Sequence, residues 1–386
     1  MKFLHLGQTV PFGIVGGAHS EHKKAFFGQC HIHAARYWAG HLKGGVFSRD
    51  ATVNGASGKH YGAIPYGDVP SMIAKEAASD SPMRFISVVT PNSSHCSISA
   101  AALVGGISVM CEKPMGVSLK EATELKELVE QTGLPFGLTH TYRGYPITAL
   151  AAHIIKQGDI GSIFNIDVDY KQGWLLGEVD AWRVDPEIGG PGGVLADIGA
   201  THAYDMMRYL TGLEATCVMA ALRTIIPDRK VPDHAHLLLE FPGNVHGSIR
   251  TSQVMAMCEN NIECEVSGTE GRLKWSINDP NSLYLYKNGK PNTVYRAAEG
   301  YLPEDVKAMF RLPPGHPEGN EGALANVYGA FMDWVIAHGN GDTAFKPSPI
   351  LAQIGDGLQS MALIEAALRS QNAGSVWVAP LLPVIH

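Results

Sequence analysis

The chain reads as an α/β protein in two parts. An N-terminal domain of β-α-β units around a parallel sheet (residues 1–147) precedes a C-terminal α+β domain with a large, mostly antiparallel sheet (residues 148–386). Three observations predict this. Up to about residue 140, short apolar runs alternate with helix-like stretches, the pattern of crossover connections in a parallel sheet. Beyond residue 150, runs rich in β-branched and aromatic residues are separated by turns at Pro242-Gly243-Asn244, Gly268-Thr269-Glu270-Gly271 and Asn288-Gly289. The length of 386 residues also exceeds what one ordinary core accommodates.

In the first domain, strands are expected near residues 12–16, 44–48, 84–90, 106–111 and 134–139. Between the last two, Ser118 and Glu121 form a capping box, Leu119, Ala122, Leu125 and Leu128 share one helical face, and Gly133 ends the helix. Phe12-Gly13-Ile14-Val15 runs into Gly16-Gly17, whose missing side chains permit a tight turn and close approach of a pyrophosphate to a helix N-terminus. A polar insertion, Ala18-His19-Ser20-Glu21-His22-Lys23-Lys24, follows before Ala25-Phe26-Phe27-Gly28-Gln29 opens the first helix. Such a Rossmann arrangement selects its cofactor at the end of the second strand. There an acidic residue binds a ribose 2′-hydroxyl, whereas Ser48 followed by Arg49 suits a 2′-phosphate and so favours NADP over NAD. Asp50 lies close enough to reverse that preference.

Cys111-Glu112-Lys113-Pro114-Met115 closes the fourth of these strands, and Thr90-Pro91-Asn92 closes the third. A lysine at the carboxyl end of a strand, followed by a proline of fixed φ, can hold an ammonium in a cleft where an alcohol is oxidised. In the second domain a long strand (Ser162 to Gln172) and a glycine loop (Gly189-Gly190-Pro191-Gly192-Gly193) precede one helix, Val194 to Leu210. Asp197 near its start and His202 a turn later can converge on one substrate hydroxyl, with the imidazole titrating near neutrality as a general base does.

Composition narrows the chemistry. Apolar residues make up 45% of the chain and the formal charge is −7, which leaves no basic field for a phosphate backbone. The 6 cysteines form no C-x-x-C pair, as suits buried thiols in a reducing cytoplasm. Residues 1–8 lack the apolar core of a secretion signal, and no segment reaches the about 18 apolar residues of a membrane span. His31 and His33 point different ways on a helix, and no nearby Cys, Asp or Glu completes a site with them, so no metal is expected.

In their order along the chain, Thr90-Pro91-Asn92 with His95, Glu112-Lys113-Pro114, Trp182-Arg183, the glycine loop and Asp197-Ile198-Gly199 with His202 resemble the glucose-fructose oxidoreductase and inositol dehydrogenase family. The resemblance spans nearly the whole chain, including a late helix from Pro349 to Ala373. It implies that Lys113 polarises the reacting hydroxyl, His202 exchanges its proton and Asp197 orients the substrate. It implies further that Thr90, Pro91, Asn92, His95 and Glu112 line the nicotinamide end of NAD or NADP, and that Gly16, Gly17, Phe27 and Gly28 flank the pyrophosphate. His140, Tyr142, Gln172, Trp182, Arg183 and His316 are candidate contacts to a small sugar, glycoside or cyclitol, and a secondary alcohol such as C3 of a glucoside is the expected reacting position.

The family usually places its histidine four residues after the aspartate; here Thr201 stands there and His202 one further on. If Ala200 lies ahead of the first turn, His202 keeps the role, as Ala203-Tyr204 favours; inside an α-helix the extra residue would turn it by about 100°. An uncovered apolar sheet face would pair two copies, so a homodimer or homotetramer is expected. Two alternatives stand beside the dehydrogenase: a non-catalytic NAD(P)-binding regulatory protein, and an NAD-dependent lyase or transhydrogenase that retains its cofactor.

Overall fold

A computed structural model describes residues 8–19, 26–177 and 181–382. Residues 1–7 and residues 20–25, which include most of the polar insertion, lie outside the described residues. The first sheet is built from Val10–Val15 (β1), Gly40–Val46 (β2), Ile64–Pro65 (β3), Phe85–Val88 (β4), Ser108–Cys111 (β5) and Phe136–Leu138 (β6), every neighbouring pair parallel. The second comprises Ile163–Lys171 (β7), Cys217–Arg223 (β8), His234–Phe241 (β9), Val245–Ser252 (β10), Asn261–Gly268 (β11), Gly271–Ser276 (β12), Ser282–Lys287 (β13) and Thr293–Arg296 (β14). The chain then returns to the first sheet in Ala352–Gln353 (β15), antiparallel to β6.

The first sheet has the order β15-β6-β5-β4-β1-β2-β3, which apart from β15 is the doubly wound dinucleotide-binding order. Its central strands are apolar throughout because helices cover both faces of a parallel sheet: Phe12, Ile14, Phe85, Ile86, Val88, Val109, Met110 and Phe136 are all fully buried. The expected strands match β1, β2, β4, β5 and β6 with ends moved by a few residues. β3, two residues long, carried no apolar signal. The helix between β5 and β6 runs from Leu119 to Thr132.

The chain divides into two compact units. One gathers the described residues up to Gly116, Lys120–Gly144 and Asn320–Gly355; the other holds Val117–Leu119, Tyr145–Gly319 and the described residues from Asp356 onward. The helix Asn320–Gly339 therefore belongs to the first unit, where Trp38 Nε1 donates to the Ala325 carbonyl (2.5 Å) and Asn326 Nδ2 to that of Gly144 (2.9 Å). A sequence boundary drawn at 147 misses such a return, since helical periodicity reports a buried face and not which core buries it. The late helix runs from Ile354 to Asn372, mostly within the second unit.

In the second sheet, order β14-β13-β12-β11-β7-β10-β9-β8, only β7 and β10 run parallel. Ile166, Val168 and Tyr170 of β7 alternate inward with Asn165, Asp167, Asp169 and Lys171 on the other face. That outer face was expected to be apolar. Instead it carries cross-strand ion pairs, Arg250 Nε to Asp169 (2.5 Å), Lys274 Nζ to Glu263 (2.8 Å) and Arg272 to Glu265 (3.1 Å), with Leu238 half exposed among them. Alternation in sequence located the faces, but the charge on each had to be read strand by strand.

Candidate active site

In the first unit, the candidate residues collect at the carboxyl ends of β1, β4, β5 and β6, where a doubly wound sheet takes ligands. Gly16 and Gly17 leave β1 at φ of 80° and 66°. A Cβ on Gly16 would stand 2.7 Å from Thr90 Cγ2, and one on Gly17 2.7 Å from Val89 Cγ1. Gly28, in the first turn of the helix Phe26–Tyr37, donates its N–H to Gly17 O (2.9 Å), and a Cβ there would lie 2.1 Å from that oxygen. Strand end, turn and helix start thus meet at van der Waals distance with no glycine side chain between them, a cradle that fits the pyrophosphate of a dinucleotide. Phe27 beside it is 53% exposed.

At the end of β2, Ser48 Oγ accepts the Asp50 N–H (3.1 Å), and Asp50 Oδ1 accepts that of Val53 (3.0 Å) and caps the helix Ala51–Tyr61. Asn54, which the sequence reading passed over, braces the loop by accepting from Phe47 N (2.8 Å) and donating to Tyr66 O (2.8 Å).

Lys113 follows β5 and is joined to Pro114 by a cis peptide. Beneath it lies a buried network. Glu112 Oε2 accepts the Lys113 N–H (3.1 Å), while Oε1 faces His31 Nε2 (3.0 Å) and accepts the Thr139 hydroxyl. His31 Nδ1 meets Tyr328 OH at 2.7 Å, and Ser87 Oγ meets the same hydroxyl at 2.7 Å. Burial by itself would raise the Glu112 pKa; the His31 bond, the His31 and Lys113 charges and the Thr139 bond outweigh it and bring the carboxyl down to about 2. The sequence offered His31 no acidic partner, yet folding supplies Glu112 from 81 positions away.

His95 was expected to line the nicotinamide. Its two ring nitrogens instead face the carbonyls of Thr90 and Pro114, both at 2.7 Å, so the ring ties the Thr90-Pro91-Asn92 loop to the turn after Lys113; burial lowers its pKa. His140 and Tyr142 are buried just past the end of β6.

The second unit carries the other candidates. The glycine loop is close-packed: a Cβ on Gly193 would sit 2.2 Å from Pro232 O, and one on Gly189 2.7 Å from Arg183 O. From it emerges a π-helix, Leu195–Tyr204, continued by the α-helix Asp205–Thr211. Ala200 lies inside this helix and not ahead of its first turn, contrary to expectation. With i→i+5 bonding, residues five apart take the places that residues four apart take in an α-helix, so Asp197 and His202 share a face.

Asp197 Oδ2 accepts from Gln253 Nε2 (2.6 Å), and Oδ1 lies 3.4 Å from Arg183 Nε. The Arg183 guanidinium stacks 4.3 Å from the Trp182 ring and 5.7 Å from that of Trp174. Gln172 Oε1 accepts from Trp174 Nε1 (2.9 Å), and Gln172 Nε2 donates to Asn260 Oδ1 (2.7 Å), which also accepts Tyr170 OH (2.6 Å). The His202 and Tyr170 rings stand 5.9 Å apart. Gln172, Trp182, Arg183, Asp197 and His202 are thus brought together. His316 sits on an exposed loop with its Nδ1 toward Pro314 O (3.3 Å), and no described contact joins it to that cluster. Gln253, Asn260 and Trp174 were not among the candidates; an amide at the end of an alternating strand has no distinguishing pattern in sequence.

Among the described residues no group of three or more His, Cys, Asp or Glu is disposed to hold a metal, all six cysteines are free thiols, and no helix is long and apolar enough to cross a membrane.

Residues 12–140 match the family model described as "Oxidoreductase family, NAD-binding Rossmann fold", and residues 148–274 match "GFO/IDH/MocA C-terminal domain". Fold and glycine cradle accordingly define an oxidoreductase with an NAD-binding Rossmann domain. The protein "Uncharacterized oxidoreductase YfiI" of Bacillus subtilis (strain 168) is 30% identical over 87% of this chain and 88% of its own. Levoglucosan dehydrogenase of Pseudarthrobacter phenanthrenivorans is 28% identical over 78% of this chain and 80% of its own. The crystal structure of an inositol dehydrogenase homolog from Azotobacter vinelandii, complexed with NADH and myo-inositol, aligns with a TM-score of 0.89 at 28% identity, over 97% of this chain and 98% of that one. The chain belongs to the GFO/IDH/MocA family of oxidoreductases.

Proposed function

We propose that this protein transfers hydride between a secondary alcohol of a sugar, glycoside or cyclitol and a nicotinamide cofactor, with C3 of a glucoside as the specific position. The observation that carries the reading is Asp197, an aspartate held by Gln253 and Arg183 on the helix face of His202, with tryptophans alongside. Aromatic rings suit the C–H side of a sugar and the polar groups suit its hydroxyls. Lys113 polarises the reacting hydroxyl, His202 takes its proton as the carbinol C–H leaves with its electron pair, and Asp197 orients the ring. Nicotinamide, when bound, supplies the hydride acceptor. His140, Tyr142, Gln172, Trp182 and His316 are the proposed substrate contacts.

Arg183 turns its Nε toward Asp197 and lays its guanidinium over two indole rings, so part of its charge is balanced within the site, which favours an uncharged substrate. Ser48 and Arg49 favour NADP, since Asp50 spends a carboxylate oxygen on capping its helix. The free thiols fit a cytoplasmic protein, and a homodimer or homotetramer is the assembly proposed.

The test is native mass spectrometry of the purified protein, followed by absorbance at the reduced-nicotinamide band during addition of glucosides, inositols, free sugars and sugar phosphates. Reduction with one uncharged class, lost by at least about a hundredfold in Lys113→Ala, is the expected outcome. Cofactor binding with no redox change for any sugar overturns the reading in favour of a regulatory binding protein. The kcat/KM ratio for NADP over NAD, and its fall in Arg49→Ala, tests the cofactor preference.

A further inference from the structure

We propose that Thr201 and Ser360 are positioning residues that hold the π register of Leu195–Tyr204, and through it the alignment of His202 with Asp197. The inference rests on the roles proposed above for that pair. A π-helix is rare because its wider turn gives up packing along the axis, so it persists only where something outside the regular ladder favours it, commonly at functional sites. Here two side chains do so. Thr201 Oγ1 is within 3.0 Å of both the Ala196 and the Asp197 carbonyls, a three-centre bond spanning the i−5 and i−4 positions. Ser360 Oγ, from the helix Ile354–Asn372, lies 3.2 Å from the carbonyl of Ala200 and 3.2 Å from that of Asp356 in its own helix, so one hydroxyl hydrogen is shared between its own ladder and the additional residue of the other helix.

All three positions are buried, with Thr201 0%, Ala200 1% and Ser360 2% exposed. Neither hydroxyl is therefore satisfied by solvent, and removing one leaves carbonyls that an α-helical turn would serve better. Collapse to α geometry would bring Thr201 to the place four after Asp197 and swing His202 away by about 100°. Thr201 is thus not an alternative base at the family position; it is what keeps the imidazole there.

The experiment compares Thr201→Val, Thr201→Ser, Ser360→Ala and deletion of Ala200, alone and with Thr201→Val added to the deletion. Thr201→Val should lower kcat by about tenfold to a hundredfold, with cofactor affinity and KM little changed, and Thr201→Ser should restore most of the rate. Deletion of Ala200 puts histidine four after aspartate in a plain α turn, so it should retain activity and make Thr201→Val nearly silent. Equal loss from Thr201→Val in both backgrounds, or full activity of Thr201→Val in the intact chain, overturns the inference. If the deletion variant does not fold, the comparison of valine with serine decides alone.

A readout without turnover separates this inference from the functional reading. With 13C-labelled histidine, Asp197→Asn should displace the imidazole resonance of His202, identified by its loss in His202→Gln, in the intact chain and much less in Thr201→Val. Coupling by this measure in a protein that oxidises no sugar would overturn the function and keep the register; equal coupling in both backgrounds would overturn the register.

Discussion

Single side chains set the chemistry of the Asp197 site, and of those that no sequence pattern announced, Gln253 bonds the aspartate directly. It is 2% exposed, and its main chain is fixed by an N–H to Asp233 O (3.0 Å) and by a carbonyl that accepts from Leu175 N (3.1 Å). Its amide therefore reaches Asp197 Oδ2 with little freedom left to lose. A hydrogen bond to a charged group contributes about 1.5–3 kcal/mol. Gln253→Leu should accordingly lower kcat by about tenfold or more through a misdirected carboxylate, with cofactor affinity unchanged, as steady-state kinetics and cofactor titration can check. Wild-type kcat in that variant would remove Gln253 from the positioning of Asp197. Lys113, Asp197 and His202 could be singled out as candidates in sequence because lysine before proline at a strand end, and aspartate with histidine after a glycine loop, are chemically marked. Gln253 could not, because its partner lies 56 positions away.

Elements are decided by backbone fit as much as by periodicity. The turn from β1 into the helix Phe26–Tyr37 depends on Gly28, whose N–H meets Gly17 O and whose Cα leaves no room for a methyl group. Gly28→Ala should move the helix start away from the turn and weaken NAD(P) binding by at least about tenfold, measured by quenching of protein fluorescence, while the sheet melts at nearly its normal temperature. Unchanged affinity would mean that the cradle does not hold the pyrophosphate. The Gly16-Gly17 turn was visible in sequence and the family resemblance joined Gly28 to it, but the N–H···O contact between Gly28 and Gly17 is seen only in three dimensions. The π-helix teaches the same lesson from the other side. Its residues give an ordinary helical reading, and the wider register comes from two buried hydroxyls, one of them on another helix.

At the scale of the whole molecule, the buried network of His31, Ser87, Glu112, Thr139 and Tyr328 joins the helix Phe26–Tyr37, the ends of β4, β5 and β6, and the helix Asn320–Gly339. Glu112 has its pKa depressed from 4.5 to about 2. Its contribution is therefore complete above about pH 4.5 and lost as pH falls toward 2, an amount of about 3 kcal/mol. Urea unfolding at a series of pH values should show stability falling across that window, and the fall should be smaller in Glu112→Gln, which is already destabilised at neutral pH. An identical pH slope in the variant would exclude Glu112 as its source. The amino-acid sequence by itself determined the two-domain class, the parallel sheet with its glycine turn and strand-end lysine, and the Asp197–His202 helix, since these follow from local periodicity and from residues with few other uses. Only the tertiary structure decided that the helix Asn320–Gly339 completes the first unit, that the outer sheet face is charged, that Glu112 and His31 meet, and that Ala200 sits inside a π-helix. Each of these depends on contacts between residues distant along the chain, whose energies no local window of sequence contains.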